Sequence, residues 1–175
     1  MNGVLLVGFM GAGKTTVGRA LAARLKWRFY DLDEEIERRA GRKIAELFRD
    51  FGEPEFRRRE SECLRELLRA SQAPAVIALG GGALMQAQNA ELIDLGRTVF
   101  LEAPVEELWQ RCHAHPATRP LRRDWEQFRA LYESRRETYS KAAVTVQTAG
   151  KTVEQVAAEI ARGAGLERKG QGEVP

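Results

Sequence analysis

Cysteine is scarce here: Cys63 and Cys112 are the only two in 175 residues. Two are too few for a disulfide framework, so the composition predicts a reducing, cytoplasmic setting. No apolar run approaches the roughly 20 residues of a membrane-spanning helix. The short run Val4-Leu5-Leu6-Val7 meets a glycine loop at once, so no secretory leader is expected. Charge of one sign is nearly missing too, because 28 basic side chains against 25 acidic ones leave a net +3. An excess that small suits an anionic small molecule and makes no case for nucleic acid. Repeats and an internal linker are also lacking. Together these absences exclude fibrous, disulfide-rich, secreted and integral-membrane classes.

What remains is one domain with enough apolar content, 43%, for a single buried core. Strand-like and helix-like segments alternate. Val4–Val7, Phe29-Tyr30 leading into Asp31-Leu32-Asp33, Ala75–Leu79, Val99–Leu101 and Val144–Val146 read as strands. Lys14–Lys26, Glu55–Ser71, the stretch behind Pro104, Trp125–Ala142 and Val153–Ala161 read as helices, with shorter helical pieces over Arg38–Phe51 broken at Gly41 and Gly52. Pro116, Pro120 and clustered arginines make 113–123 a mobile loop, and the tail 164–175 has little to bury. The alternation predicts an α/β fold: three layers, α/β/α, around a central parallel sheet, in one domain over 1–163.

The sharpest motif is Gly8-Phe9-Met10-Gly11-Ala12-Gly13-Lys14-Thr15, between an apolar strand and an amphipathic helix. It fits G-x-x-x-x-G-K-[ST]. The glycines let the backbone curl so that successive N–H groups point at phosphate oxygens, and the helix start adds unpaired amides. Lys14 can reach the β- and γ-phosphates, and the Thr15 hydroxyl can ligate Mg²⁺. This predicts a nucleoside triphosphate site of the P-loop type.

Three further features bear on what receives the phosphoryl group. Asp31 and Asp33, at i and i+2, are read as carboxylates on one side of an extended strand end, although a polar strand end or helix cap stays open on these residues alone. Arg57 and Glu60, at i and i+3 in Phe56-Arg57-Arg58-Arg59-Glu60, can pair and so fix a guanidinium for a carboxylate, against the alternative of a solvated helix face. Gly80-Gly81-Gly82, directly after a strand, allows a ligand to lie against bare backbone, against the alternative of a plain turn.

With Arg119-Pro120-Leu121 and an arginine-rich helix ending near Tyr139, these motifs occur in an order by which the chain resembles the shikimate kinase family, from Val4 to Ile160. The absent Walker B aspartate departs from P-loop proteins in general and agrees with that family. The resemblance implies a nucleoside-monophosphate-kinase-like P-loop fold. It also implies transfer of the ATP γ-phosphoryl group to the 3-hydroxyl of shikimate, a step of chorismate and aromatic amino-acid biosynthesis, with Mg²⁺ as the metal.

Residue by residue, Gly11, Ala12, Gly13, Lys14, Thr15 and Thr16 would hold the nucleotide, joined by Arg111, Arg119 and Lys151. Lys14, Asp33 and Arg119 would be catalytic: Asp33 on the accepting hydroxyl and Arg119 on a lid spanning 113–123. Thr15 and Asp31 would serve the metal. Arg57 and Arg135 would grip the substrate carboxylate beside Gly80, Gly81 and Gly82, with Phe48 and Phe56 against the ring and 34–60 as the substrate-binding region. A monomer without nucleic-acid or membrane partners is expected. The rivals are a gluconate-type kinase, for which the paired arginines around Gly-Gly-Gly have no reason, and an inactive ATP-binding relative, which would be expected to miss one of Lys14, Asp33, Arg57 and Arg119. A GTPase switch or nucleotidase would need a water-orienting residue and a base-reading motif that the chain lacks.

Overall fold

In the computed structural model, which describes residues 3–70, 73–114 and 124–166, the alternation resolves into five parallel strands flanked by helices. The strands are β1 (Gly3–Val7), β2 (Arg28–Asp31), β3 (Ala75–Ala78), β4 (Thr98–Glu102) and β5 (Val144–Gln147), in the order β2-β3-β1-β4-β5. All neighbouring pairs are parallel. Strands covered on both faces need apolar side chains on both, and the three inner strands carry them: Val4–Val7, Ala75–Ala78 and Thr98–Leu101 are all buried. The edge strands can tolerate polar residues, and of β5 only Val146 is buried.

The helices are α1 (Lys14–Leu25), α2 (Leu32–Ala40), α3 (Ile44–Ala70), α4 (Ala87–Ala90), α5 (Val105–Ala114), α6 (Trp125–Tyr139) and α7 (Val153–Gly163). The fold is a three-layer α/β/α P-loop fold. α1 packs on α7 and against β2 and β3, at a distance set by Gly18, where a Cβ would lie 2.4 Å from the Phe29 ring. α7 opens on a capping box in which Thr152 and Gln155 satisfy each other's backbone N–H. An aromatic cluster ties α5 and α6 to the loop after β1: Phe9, fully buried, meets Phe128 edge-on at 5.0 Å and Tyr132 at 5.5 Å, and Trp109 meets Phe128 at 5.0 Å.

Two expectations change. The strand read through Asp33 stops at Asp31, because Leu32 already begins α2. Asp31 is the cap of that helix, its Oδ1 accepting from the N–H of Asp33 at 3.0 Å and of Glu34 at 3.4 Å. The helix read to Ala142 ends at Tyr139. The break foreseen at Gly52 is present as a sharp bend inside α3, with Gly52 at φ 77° and ψ 174° and Pro54 opening the next helical turn. Residues 164–166 close α7, with Leu166 N–H donating to Ala161 O at 2.8 Å and the Leu166 side chain packed on the core. The rest of the expected tail, 167–175, lies outside the described residues.

Parallel strands bring their C-terminal ends to one edge. Ala78 pairs with both Leu6 and Asp31, so the loops that follow β1, β2 and β3 leave the sheet at one level. The connection leaving β1 runs to β2 on one side, and the connection leaving its neighbour β3 runs to β4 on the other, which opens a crevice at that edge.

Candidate active site

The loop after β1 lies in this crevice. Gly13 stands at the start of α1 in the left-handed region, φ 87°, which an L side chain adopts only under strain. It offers α1 no side-chain cap, so the first-turn amides face the cavity as an anion site. Lys14 folds back over the loop, its Nζ donating to Gly8 O at 2.9 Å and Phe9 O at 3.1 Å. Thr15 Oγ1 donates to Asp31 Oδ2 at 2.5 Å, joining the loop to the end of β2.

A cavity of about 500 Å³ is lined by residues 11–16, by Asp31 and Asp33, and by Gly81, Arg111 and Lys151. Every residue expected on the nucleotide and metal side that is described therefore meets in one space. Arg111 is fixed there by Gly11 O and Thr148 Oγ1, each at 3.3 Å, and by Glu107. Lys151 pairs with Glu159 at 2.5 Å. The sequence reading missed Cys112, Thr148, Val153 and Val156, which complete the wall. They come from α5, the loop after β5 and α7, and carry no shared motif that could have flagged them. Of the expected lid 113–123, His113 and Ala114 are instead the last residues of α5, while 115–123, Arg119 included, lie outside the described residues.

Next to the phosphate loop, the turn Gly80-Gly81-Gly82 is hemmed in by polar side chains. A Cβ on Gly80 would sit 2.7 Å from Asp33 Oδ1 and 3.1 Å from Glu60 Oε1, and one on Gly82 would sit 2.9 Å from both terminal nitrogens of Arg57. Gly81 O accepts from Arg135 Nη1 at 3.1 Å and from the Tyr139 hydroxyl. Asp33, read as a strand residue, reaches the turn from the first turn of α2 instead.

The expected Arg57–Glu60 pair is present at 2.9 Å, and Glu53 holds the other edge of the guanidinium at 3.0–3.1 Å. Arg57 retains 16% exposure and Glu60 only 1%. Burial pushes the Glu60 carboxyl above its ordinary pKa, with Arg57 pulling the other way. Burial works against the Arg57 charge as well, but Glu60 and Glu53 outweigh it and raise the arginine further. Its neighbours in the basic run do something else. Arg58 and Arg59 are engaged by Glu55, whose carboxyl their hydrogen bonds hold down at about 2, on the outer side of α3. Phe48 and Phe56 stack at 4.5 Å, with Phe56 buried, Phe48 half-buried and the Arg57 guanidinium 5.2 Å from the Phe56 ring. Thus Asp33, Arg57 and Arg135 converge on one glycine turn. Glu60 entered the sequence reading only as a partner of Arg57, and Tyr139 only as the end of a helix.

A family model described as shikimate kinase matches residues 10–164. A curated shikimate kinase of Cereibacter sphaeroides is 48% identical over 161 residues, covering 90% of this chain and 79% of that protein. Among solved structures, the shikimate kinase of Acinetobacter baumannii in complex with shikimate superposes with a TM-score of 0.83 at 40% identity, covering 93% of this chain and 92% of the other. A gluconokinase of Sinorhizobium meliloti, covering 94% and 92%, reaches a TM-score of 0.58 at 20% identity and shares the fold alone.

Proposed function

The chain belongs to the shikimate kinase family, and we propose that its three converging polar side chains, Asp33, Arg57 and Arg135, hold shikimate against a nucleotide cradled by residues 8–16. The reaction is transfer of the ATP γ-phosphoryl group to the 3-hydroxyl of shikimate, giving shikimate 3-phosphate and ADP. Phosphoryl transfer of this kind asks the protein for position and charge more than for covalent chemistry. The first-turn amides of α1 and the Lys14 ammonium neutralise charge on the phosphates. Arg57 and Arg135 grip the substrate carboxylate, while Phe48 and Phe56 flank the ring. Asp33 accepts a hydrogen bond from the attacking hydroxyl, orients it and takes its proton late.

The hydroxyl of Thr15 and the carboxylate of Asp31 are hard oxygen donors in contact beside the phosphate loop, a donor pair that fits Mg²⁺. Those two residues would hold the ion, directly or through water, and when bound it would neutralise phosphate charge. Arg111 and Lys151 serve the nucleotide from the far wall, and Arg119 closes over the phosphates from the lid at 115–123. We assign one catalytic domain that runs to Leu166, with substrate-binding segment 34–60, working as a cytoplasmic monomer. Cys63 and Cys112 form no disulfide, which supports the compartment, and no helix among the described residues is long and apolar enough to cross a membrane.

The observation that carries this reading is the convergence of an aspartate and two arginines on a bare glycine turn adjoining the phosphate cavity. A coupled assay of ADP release tests it with shikimate, with gluconate and with no acceptor. Turnover is expected with shikimate alone; equal ATP consumption in all three would overturn it.

A further inference from the structure

Tyr139 has no part in the scheme so far, yet its hydroxyl donates to the carbonyl oxygen of Gly81, in the turn that the acceptor site is built around. The side chain is 1% exposed, and its ring lies 5.4 Å from that of Phe100. Arg135 stands one helical turn earlier on the same face of α6 and donates Nη1–H to the same oxygen at 3.1 Å. A carbonyl oxygen has two lone pairs, and here both are taken, from two directions. Gly81 has no side chain by which packing could fix its peptide plane, so these two bonds set it. On either side, Gly80 abuts Asp33 and Gly82 abuts Arg57, so a rotation of this peptide would displace the backbone against both.

We infer that Tyr139 is a positioning residue for the acidic acceptor: its hydroxyl locks the Gly81 peptide and, through the shared oxygen, the angle at which Arg135 presents its remaining N–H groups to a carboxylate. The inference rests on the reading of the acceptor site given above. A guanidinium carries five N–H donors in a rigid plane, so anchoring one edge determines where the other points. Burial holds the phenol up at about 12, and it therefore stays a protonated donor across neutral pH.

Tyr139→Phe deletes the hydroxyl and keeps the ring against Phe100. With one neutral hydrogen bond lost from the positioning shell, the shikimate KM is expected to rise about fivefold. The ADP Kd and kcat should stay within about twofold of wild type. In an Arg135→Gln background the same change should add less than twofold, because the residue whose aim it sets is gone. A shikimate KM equal to wild type, a parallel rise in the ATP KM, an equal effect in the Arg135→Gln background, or loss of a cooperative melt would each overturn the inference, the last by assigning the hydroxyl to the fold. If wild-type enzyme fails to phosphorylate shikimate, the underlying reading falls as well; if it is active and Tyr139→Phe matches it, this inference alone falls.

Discussion

Truncating Arg57 removes two things at once, the proposed grip on the substrate carboxylate and the partner of a buried acid. Charged hydrogen bonds contribute about 1.5–3 kcal/mol each, so Arg57→Ala is expected to raise the shikimate KM by at least tenfold with little change in ATP affinity, measured by steady-state kinetics and nucleotide titration. It also strands Glu60, which is 1% exposed. Breaking a buried ion pair costs about 3–5 kcal/mol, and the lower end applies because Arg57 keeps some exposure. The pH dependence follows from the sign. Because the Glu60 pKa in the folded protein is raised above its ordinary 4.5, the stability it contributes is full below that value and is lost as pH rises through the folded one. Loss of Arg57 removes the strongest pull opposing that rise, so the Tm deficit of Arg57→Ala should grow from pH 4 to pH 7. Adding Glu60→Gln should flatten it. A variant that melts like wild type at every pH would reject the pairing as a source of stability. Spacing marks Arg57 as the one that can pair with Glu60, but only the helix's orientation shows that Arg57 faces the glycine turn while Arg58 and Arg59 turn to Glu55.

At the scale of elements, the turn after β3 and the loop after β1 use glycine differently. Gly8 has φ 149°, and a Cβ there would lie 2.7 Å from Leu101 O, a backbone atom of β4 that cannot yield without disturbing the sheet. Gly82 has an ordinary φ of −112°, and its Cβ would meet only the far end of the Arg57 side chain. Gly82→Ala should therefore leave the unfolding free energy within about 0.5 kcal/mol of wild type and yet raise the shikimate KM, because the guanidinium is pushed from its place. Gly8→Ala should lower both Tm and ATP affinity. Equal effects of the two substitutions, compared by thermal melts and both KM values, would contradict this distinction. The Gly-Gly-Gly run was legible in the sequence as a place for close approach, and the resemblance set Arg57 and Arg135 beside it, but Glu60 and Tyr139 were not legible as its neighbours. Asp33, Glu60, Arg57, Arg135 and Tyr139 arrive from α2, α3 and α6, and only their packing brings them together.

For the whole molecule, the sites proposed for both substrates lie in one domain along one sheet edge, so each ligand should stabilise the fold by mass action. A ligand at 100 times its Kd adds about 2.7 kcal/mol, and shikimate alone and ADP alone are each expected to raise Tm. Failure of shikimate alone to do so would mean that the acceptor site forms only once nucleotide is present. The sequence by itself determined the parallel α/β architecture, since β1, β3 and β4 need apolar residues on both faces and the helices between them need one apolar stripe. It determined the phosphate loop as well, because that chemistry resides in consecutive residues whose glycines and lysine act through local backbone geometry. Tertiary structure alone decided that Asp33 turns toward Gly80, that Glu60 lies buried beside the same turn, and that a buried tyrosine shares a carbonyl with Arg135. Those outcomes depend on the relative placement of elements far apart in the chain, which local spacing does not encode.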